Sequence, residues 1–142
     1  MHPTKRYTTR ALEDITTLTI HHTVSPPDRP IESIAAYHVS KDWPGIGYHF
    51  VIKAGGLIYQ TNQLEAVSYH AGPGNHYSVG IALQGDFTNG QPPHPQIQAA
   101  AWLVGELQDR LGDLFVLPHR LMTGAATACP GATWEAWLPL LT

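Results

Sequence analysis

Residues 48–53 (YHFVIK) and 57–60 (LIYQ) are two strand-like runs joined by Ala54-Gly55-Gly56. Apolar and aromatic runs on either side of a glycine turn predict a β-hairpin. This hairpin constrains the fold more than any other stretch, because it commits two strands to antiparallel order. Elsewhere strands and helices interleave. Residues 15–20 read as a strand in which Leu18 and Ile20 alternate with Thr17 and Thr19. A helix follows, with Asp28 as candidate cap and Pro30 in the first turn, carrying Ile31, Ile34, Ala35 and His38 on one face. It ends before Trp43-Pro44-Gly45. Residues 79–83 form a fourth strand and residues 114–117 a short fifth. A Pro-rich loop over residues 91–95 feeds a long helix from 96 to 111, whose stripe Ala100, Leu103, Val104, Leu107 and Leu111 has helical spacing. A closing helix over 133–141 contains Pro139, which allows only a short last turn. The order predicts a mixed α/β (α+β) fold, a central mixed sheet of about five strands flanked by about three helices. The hairpin argues against an all-parallel sheet, and strand order is not readable from the pattern.

At 142 residues the chain is expected to be one domain with a core of its own. Only 13 % of residues are charged and the net charge is −3, so there is no basic field to attract nucleic acid or anionic lipid. No run is long and apolar enough to cross a membrane. The first residues, MHPTKRYTTRALEDI, lack the apolar stretch and cleavage site of a signal peptide, which predicts synthesis in the cytoplasm. A monomer is the default expectation. The single cysteine cannot form an intrachain disulfide.

That cysteine, Cys129, lies in Thr127-Ala128-Cys129-Pro130-Gly131, with His119 upstream and His21-His22 near the start. Two imidazoles and one thiolate are three protein ligands for Zn²⁺, with a fourth position open as catalytic zinc requires. Adjacent strand residues point to opposite faces. His22 shares the face of Leu18 and Ile20 and reads as packing. His21 shares the polar face of Thr17 and Thr19 and is the better ligand. His119 follows a short strand, where loops held by a rigid sheet carry function. Cys129 taken alone reads as a small buried hydrophobe, but its Pro-Gly neighbours point to a constrained loop. A thiol hydrolase with Cys129 as nucleophile and His119 as base is a competing reading. His38, on the apolar helix face, reads as structural. Trp43 suits either a sugar platform or a core cap, and Trp102, Trp134 and Trp137 read as helix packing. HExxH, CxxC, GxSxG and phosphate-binding glycine loops are absent.

Four pieces appear in order along the chain: LTIHHT (18–23), GIGYHFVI (45–52), SYHAGPGN with SVGIALQGDF (68–75 and 78–87), and PHR with TACPG (118–120 and 127–131). In these the chain resembles the zinc-dependent N-acetylmuramoyl-L-alanine amidases, in the superfamily shared by phage lysozyme-type amidases and peptidoglycan recognition proteins. The resemblance implies a peptidoglycan-recognition-protein-like fold and one catalytic domain over residues 1–142. It implies hydrolysis of the bond between the lactyl group of N-acetylmuramic acid and L-alanine, with bacterial peptidoglycan as partner. Position by position, it implies zinc ligands at His21, His119 and Cys129, catalytic residues at Tyr48 and Thr127, and substrate contacts at His70 and Asn75, to which Trp43 is added. The 119–129 segment is longer than the usual family spacing, an insertion placed at Gly124-Ala125-Ala126. Zn²⁺ would lower the pKa of its water to roughly 7 and polarise the scissile carbonyl. Tyr48, with an ordinary pKa of about 10, would stay neutral and donate to the oxyanion. The competing role for Tyr48 is packing beside Phe50 and Ile52. A non-catalytic peptidoglycan-binding module is the alternative function, and the presence of Cys129 favours the enzyme. The missing signal peptide suits a phage endolysin, made in the host cytoplasm and released to the wall by other means, and equally a cytoplasmic recycling enzyme or a domain cut from a longer protein.

Overall fold

The hairpin forms at one edge of the sheet. The computed structural model describes Met1–Thr142, with β1 (Thr17–His22), α1 (Ile31–Ser40), β2 (Phe50–Ile52), β3 (Ile58–Gln60), β4 (Ser78–Leu83), α2 (His94–Leu111), β5 (Phe115–Pro118) and α3 (Trp134–Trp137). The five strands run in the order β3-β2-β4-β1-β5. β1 is parallel to β4 and β5, β2 is parallel to β4, and β3 closes the edge antiparallel to β2. The sheet is therefore mixed, as the hairpin requires.

Its two faces differ in chemistry. Alternation along β1 turns Leu18 and Ile20 to one side, beside Val79, Ile81 and Leu83 of β4 and Phe50 and Ile52 of β2. The α2 stripe Ile97, Ala100, Leu103, Val104 and Leu107 seals this face, together with Trp137, Leu138 and Leu141 from the C-terminal end. The opposite face carries Thr19 and His21 of β1 in register with Gly80 and Ala82 of β4. Here α1 covers only a part, packing Ile34 against Ile46 and Val51. The remainder of that face holds histidines, and the site is built on it.

Several element boundaries differ from expectation for local reasons. A 3-10 turn over Leu12–Asp14 displaces the start of β1 to Thr17, while pairing of His21 with Ala82 and His22 with Leu83 carries the strand on to His22. Asp28 does not cap α1; Pro30 takes the N-cap position, and no side chain caps the helix. Tyr48 lies just ahead of β2, with its carbonyl accepting hydrogen bonds from Thr61 Oγ1 and Asn62 Nδ2. The closing segment breaks into α3 and a 3-10 turn over Leu138–Leu141, because Pro139 has no N–H to continue an α-helix. Trp137 is buried and Trp134 packs against the core, but Trp102 is 60 % exposed on the outer side of α2, against the packing expected for it. No helix is long and apolar enough to cross a membrane.

Candidate metal centre

Parallel pairing of β1 with β5 brings their carboxyl ends together. His21 emerges from the polar face of β1, and His119 opens the 3-10 turn that directly follows β5. The loop carrying Cys129 folds back over both. Arg120 N–H donates to the Cys129 carbonyl at 2.9 Å, and His22 N–H donates to Cys129 Sγ at 3.3 Å. Behind the cysteine, Gly131 adopts φ +108°, and a Cβ there would lie 2.0 Å from the Phe87 carbonyl oxygen. Only glycine permits this approach of the loop to the strand connection.

The donor atoms of His21, His119 and Cys129 all lie within 4.8 Å of one another. Cys129 Sγ is 3.8 Å from His21 Nδ1, and the His21 and His119 ring centroids are 4.6 Å apart. Burial pushes the pKa of both imidazoles down, so each ring is neutral and offers a lone pair. Burial also pushes the Cys129 thiol up to about 12. A thiol in that state is not an activated nucleophile, which weighs against the thiol-hydrolase reading. A bound cation would deprotonate it. Two neutral imidazoles and a thiol that ionises on coordination make a donor set that fits Zn²⁺.

The cluster lies at the floor of a cleft of about 520 Å³. Tyr48 lines it, with its ring 5.2 Å from that of His21. Its hydroxyl has no hydrogen-bond partner within the protein, and burial, followed by the nearby Cys129, holds its pKa above the usual tyrosine range. Tyr48 is thus a protonated donor facing the cleft. Trp43 forms part of the wall, its ring 4.8 Å from that of His38 and edge-on to Tyr69 at 5.9 Å. Lys41 Nζ lies over both Trp43 and Tyr37, at 4.8 and 5.0 Å.

Other residues singled out in the sequence take different places. His70 borders the cleft but is buried, with Nδ1 3.0 Å from His21 Nε2 and Nε2 3.3 Å from Ser78 Oγ. Both nitrogens are occupied inside the protein. Asn75 stands away from the cleft lining and shapes the loop, its Oδ1 accepting from the His70 and Ala71 N–H groups. Thr127 is exposed and outside the lining, and its Oγ1 accepts from Cys129 N–H at 3.1 Å. His22 packs near Phe87, whose N–H it accepts at 3.0 Å. His38 accepts the Gly47 N–H at 3.0 Å, a structural contact made from the cleft wall.

Sequence reasoning missed Tyr37, Lys41 and Tyr69 on the cleft, and His49 beneath it. Tyr37 and Lys41 are one helical turn apart, a spacing that could have paired them. His49 falls on the alternation of Val51, and its Nδ1 accepts the Gly80 N–H at 3.0 Å.

A mixed sheet thus presents, at the carboxyl ends of adjacent parallel strands, a His-His-Cys cluster that could hold a metal ion. Residues 11–132 match the N-acetylmuramoyl-L-alanine amidase family, and the chain belongs to it. A peptidoglycan-recognition protein of Drosophila simulans is 32 % identical over 148 aligned residues, covering 92 % of this chain and 80 % of the relative. Among solved structures, the N-acetylmuramoyl-L-alanine amidase LysC from Clostridium intestinale superposes with a TM-score of 0.83 at 26 % identity, covering 99 % of this chain and 95 % of that one. The endolysin of Thermus scotoductus bacteriophage Ph2119 gives 0.84 at 27 % identity, covering 94 % and 88 %. The fold is that of the amidases and peptidoglycan recognition proteins.

Proposed function

We propose that this chain hydrolyses the amide bond between the lactyl group of N-acetylmuramic acid and L-alanine in bacterial peptidoglycan, with Zn²⁺ held by His21, His119 and Cys129. The observation that carries this reading is the convergence of those three donors beside the unpartnered Tyr48 hydroxyl, at the floor of an open cleft. Family membership and the amidase and endolysin relatives support it.

A zinc ion in this position supplies Lewis acidity and an activated water near neutral pH. The chain's own residues do the rest. Tyr48, kept protonated, donates a hydrogen bond to the oxygen on which negative charge develops as the amide is attacked. Trp43 and Tyr69 offer flat apolar walls to a sugar ring or peptide stem. Arg29 and Lys41 line the cleft and no Asp or Glu does, so the cleft favours an anionic ligand although the whole chain carries −3. Peptide stems bearing carboxylates meet that requirement. In this reading the chain supplies a catalytic domain that acts as a monomer on the cell wall, in an endolysin or autolysin.

The test is digestion of purified peptidoglycan with and without a chelator, followed by identification of new termini. New L-alanine amino groups that vanish on chelation and return with Zn²⁺ are the expected result. No new termini, with the protein retained on the wall, would replace the amidase by a binding module, a role suggested by the name of the recognition-protein relative.

A further inference from the structure

Ser78 Oγ lies 2.7 Å from the Gly74 carbonyl oxygen and 3.3 Å from His70 Nε2. A serine hydroxyl has one proton, and a carbonyl can only accept. The shorter contact takes that proton, so Ser78 meets His70 as an acceptor. His70 Nε2 therefore carries a hydrogen, and in a neutral ring Nδ1 is left with a lone pair. That lone pair faces His21 Nε2 at 3.0 Å, so His21 donates from Nε2. The atom remaining to His21 is Nδ1, unprotonated, and it is the atom 3.8 Å from Cys129 Sγ. Each direction follows from the one before it, and the starting point is a backbone carbonyl that cannot reverse.

The surroundings hold this run in place. His21, His70 and Ser78 are all buried, and no carboxylate is among the hydrogen-bond partners of either ring. Asn75 Oδ1 grips the backbone on either side of the His70 carbonyl carbon, through the N–H groups of His70 and Ala71. On the other side the ring lies directly against β4, where a Cβ on Gly80 would come within 2.7 Å of His70 Cγ. The glycine makes room for the imidazole.

We propose that His70 and Ser78 are positioning residues: the run from the Gly74 carbonyl through Ser78 and His70 fixes His21 as the Nε2–H tautomer, with Nδ1 aimed at the metal centre. The inference rests on the zinc reading of the site for its purpose, though not for its geometry. It gives His70 a role inside the protein rather than on the substrate. Partners that orient a ligating histidine this way typically change metal affinity by about 10–100-fold when removed.

The experiment uses nitrogen NMR of the imidazoles in the metal-free full chain, and zinc affinity by competition with a chromogenic chelator. The wild-type protein is expected to show His21 and His70 as Nε2–H tautomers. His70→Phe keeps a ring of similar shape but removes the acceptor, and Ser78→Ala removes the group that orients His70. Both are expected to give mixed tautomers at His21 and zinc affinity lower by about 10–100-fold, with unchanged circular dichroism. If His70→Phe fails to fold, Ser78→Ala decides. An Nδ1–H tautomer at His21 in the wild type, or wild-type affinity in the folded variants, overturns the proposal. A wild-type chain that binds no zinc overturns the metal reading instead, while the tautomers of the metal-free chain still decide this one.

Discussion

Cys129 Sγ is held by a backbone N–H from His22 and stands 3.8 Å from His21 Nδ1, so the sulfur is placed by the fold as well as by any ion. Cys129→Ala removes the only ligand that carries charge when coordinated. That variant is expected to lose zinc, read by metal analysis of the dialysed protein, and to release no L-alanine termini; full activity would remove the zinc model. Tyr48→Phe deletes one hydroxyl and little volume. It is expected to retain zinc while turnover falls by roughly 10²–10³-fold, the usual loss for one oxyanion donor. An unchanged rate would return Tyr48 to the packing role it shares with its neighbours. Both residues stand out in the sequence as candidates, because each lies in a short motif whose chemistry is carried by one side chain, and the fold places both on the cleft. Thr127 and Asn75 were not legible in the same way. Their side-chain oxygens accept backbone N–H groups of their own loops, and only the folded loop reveals which acceptor meets which donor.

Elements set the site by ending where they do. β1 delivers His21 because its pairing with β4 extends to His22, and the 129–131 loop delivers Cys129 because Gly131 lets it lie against Phe87. Gly131→Ala puts a Cβ 2.0 Å from a backbone oxygen at a positive φ. The expected outcome is a displaced Cys129 loop, with weaker zinc binding by chelator competition and an intact far-UV spectrum. Wild-type affinity would mean the loop adapts without moving the sulfur. On the other face, Leu103 of α2 sits in the main core, 5 % exposed. Leu103→Ala is expected to cost about 2–5 kcal/mol in urea unfolding, as large-to-small core changes do. A loss well under about 1 kcal/mol would show that α2 resettles onto the sheet. The α2 stripe and the alternation on β1 could be read directly, because each expresses the geometry of one element. Strand ends could not, because they depend on where a neighbouring strand stops offering partners.

At the scale of the molecule, one face of the sheet is a layer of neutral histidines. Burial lowers the pKa of His21, His38, His49 and His70, with His38 and His49 each reaching about 4. In the unfolded chain such rings take up protons below about pH 6.5, while in the folded chain His38 and His49 stay neutral to about pH 4. The unfolded state therefore binds more protons through this window, and stability falls as pH falls from about 6.5 to about 4. Each such ring contributes about 1.4 kcal/mol per pH unit, so His49 alone accounts for roughly 3 kcal/mol. Urea unfolding of the metal-free chain at about pH 7.5 and about pH 5 is expected to show marked acid lability, and equal midpoints would mean the histidines are charged inside the fold. On the proposed zinc site the ion would bind the folded state alone, and the expected result is a melting temperature that rises with the logarithm of free zinc; no shift would remove the site.

The mixed sheet, its apolar face, the hairpin and the three candidate metal donors could be read from the chain alone. Those follow from periodicity, turn chemistry and short motifs, all local properties of the chain. Only the tertiary structure decided the strand order, and with it that the ends of β1 and β5 meet so that His21 and His119 converge. It also decided which polar side chains face the cleft and which are spent inside. His70 shows the reason: its two nitrogens are claimed by His21, from a strand 49 residues earlier, and by Ser78, 8 residues later. Hydrogen-bond partners of a buried ring are set by what packs around it, and no spacing along the chain encodes them.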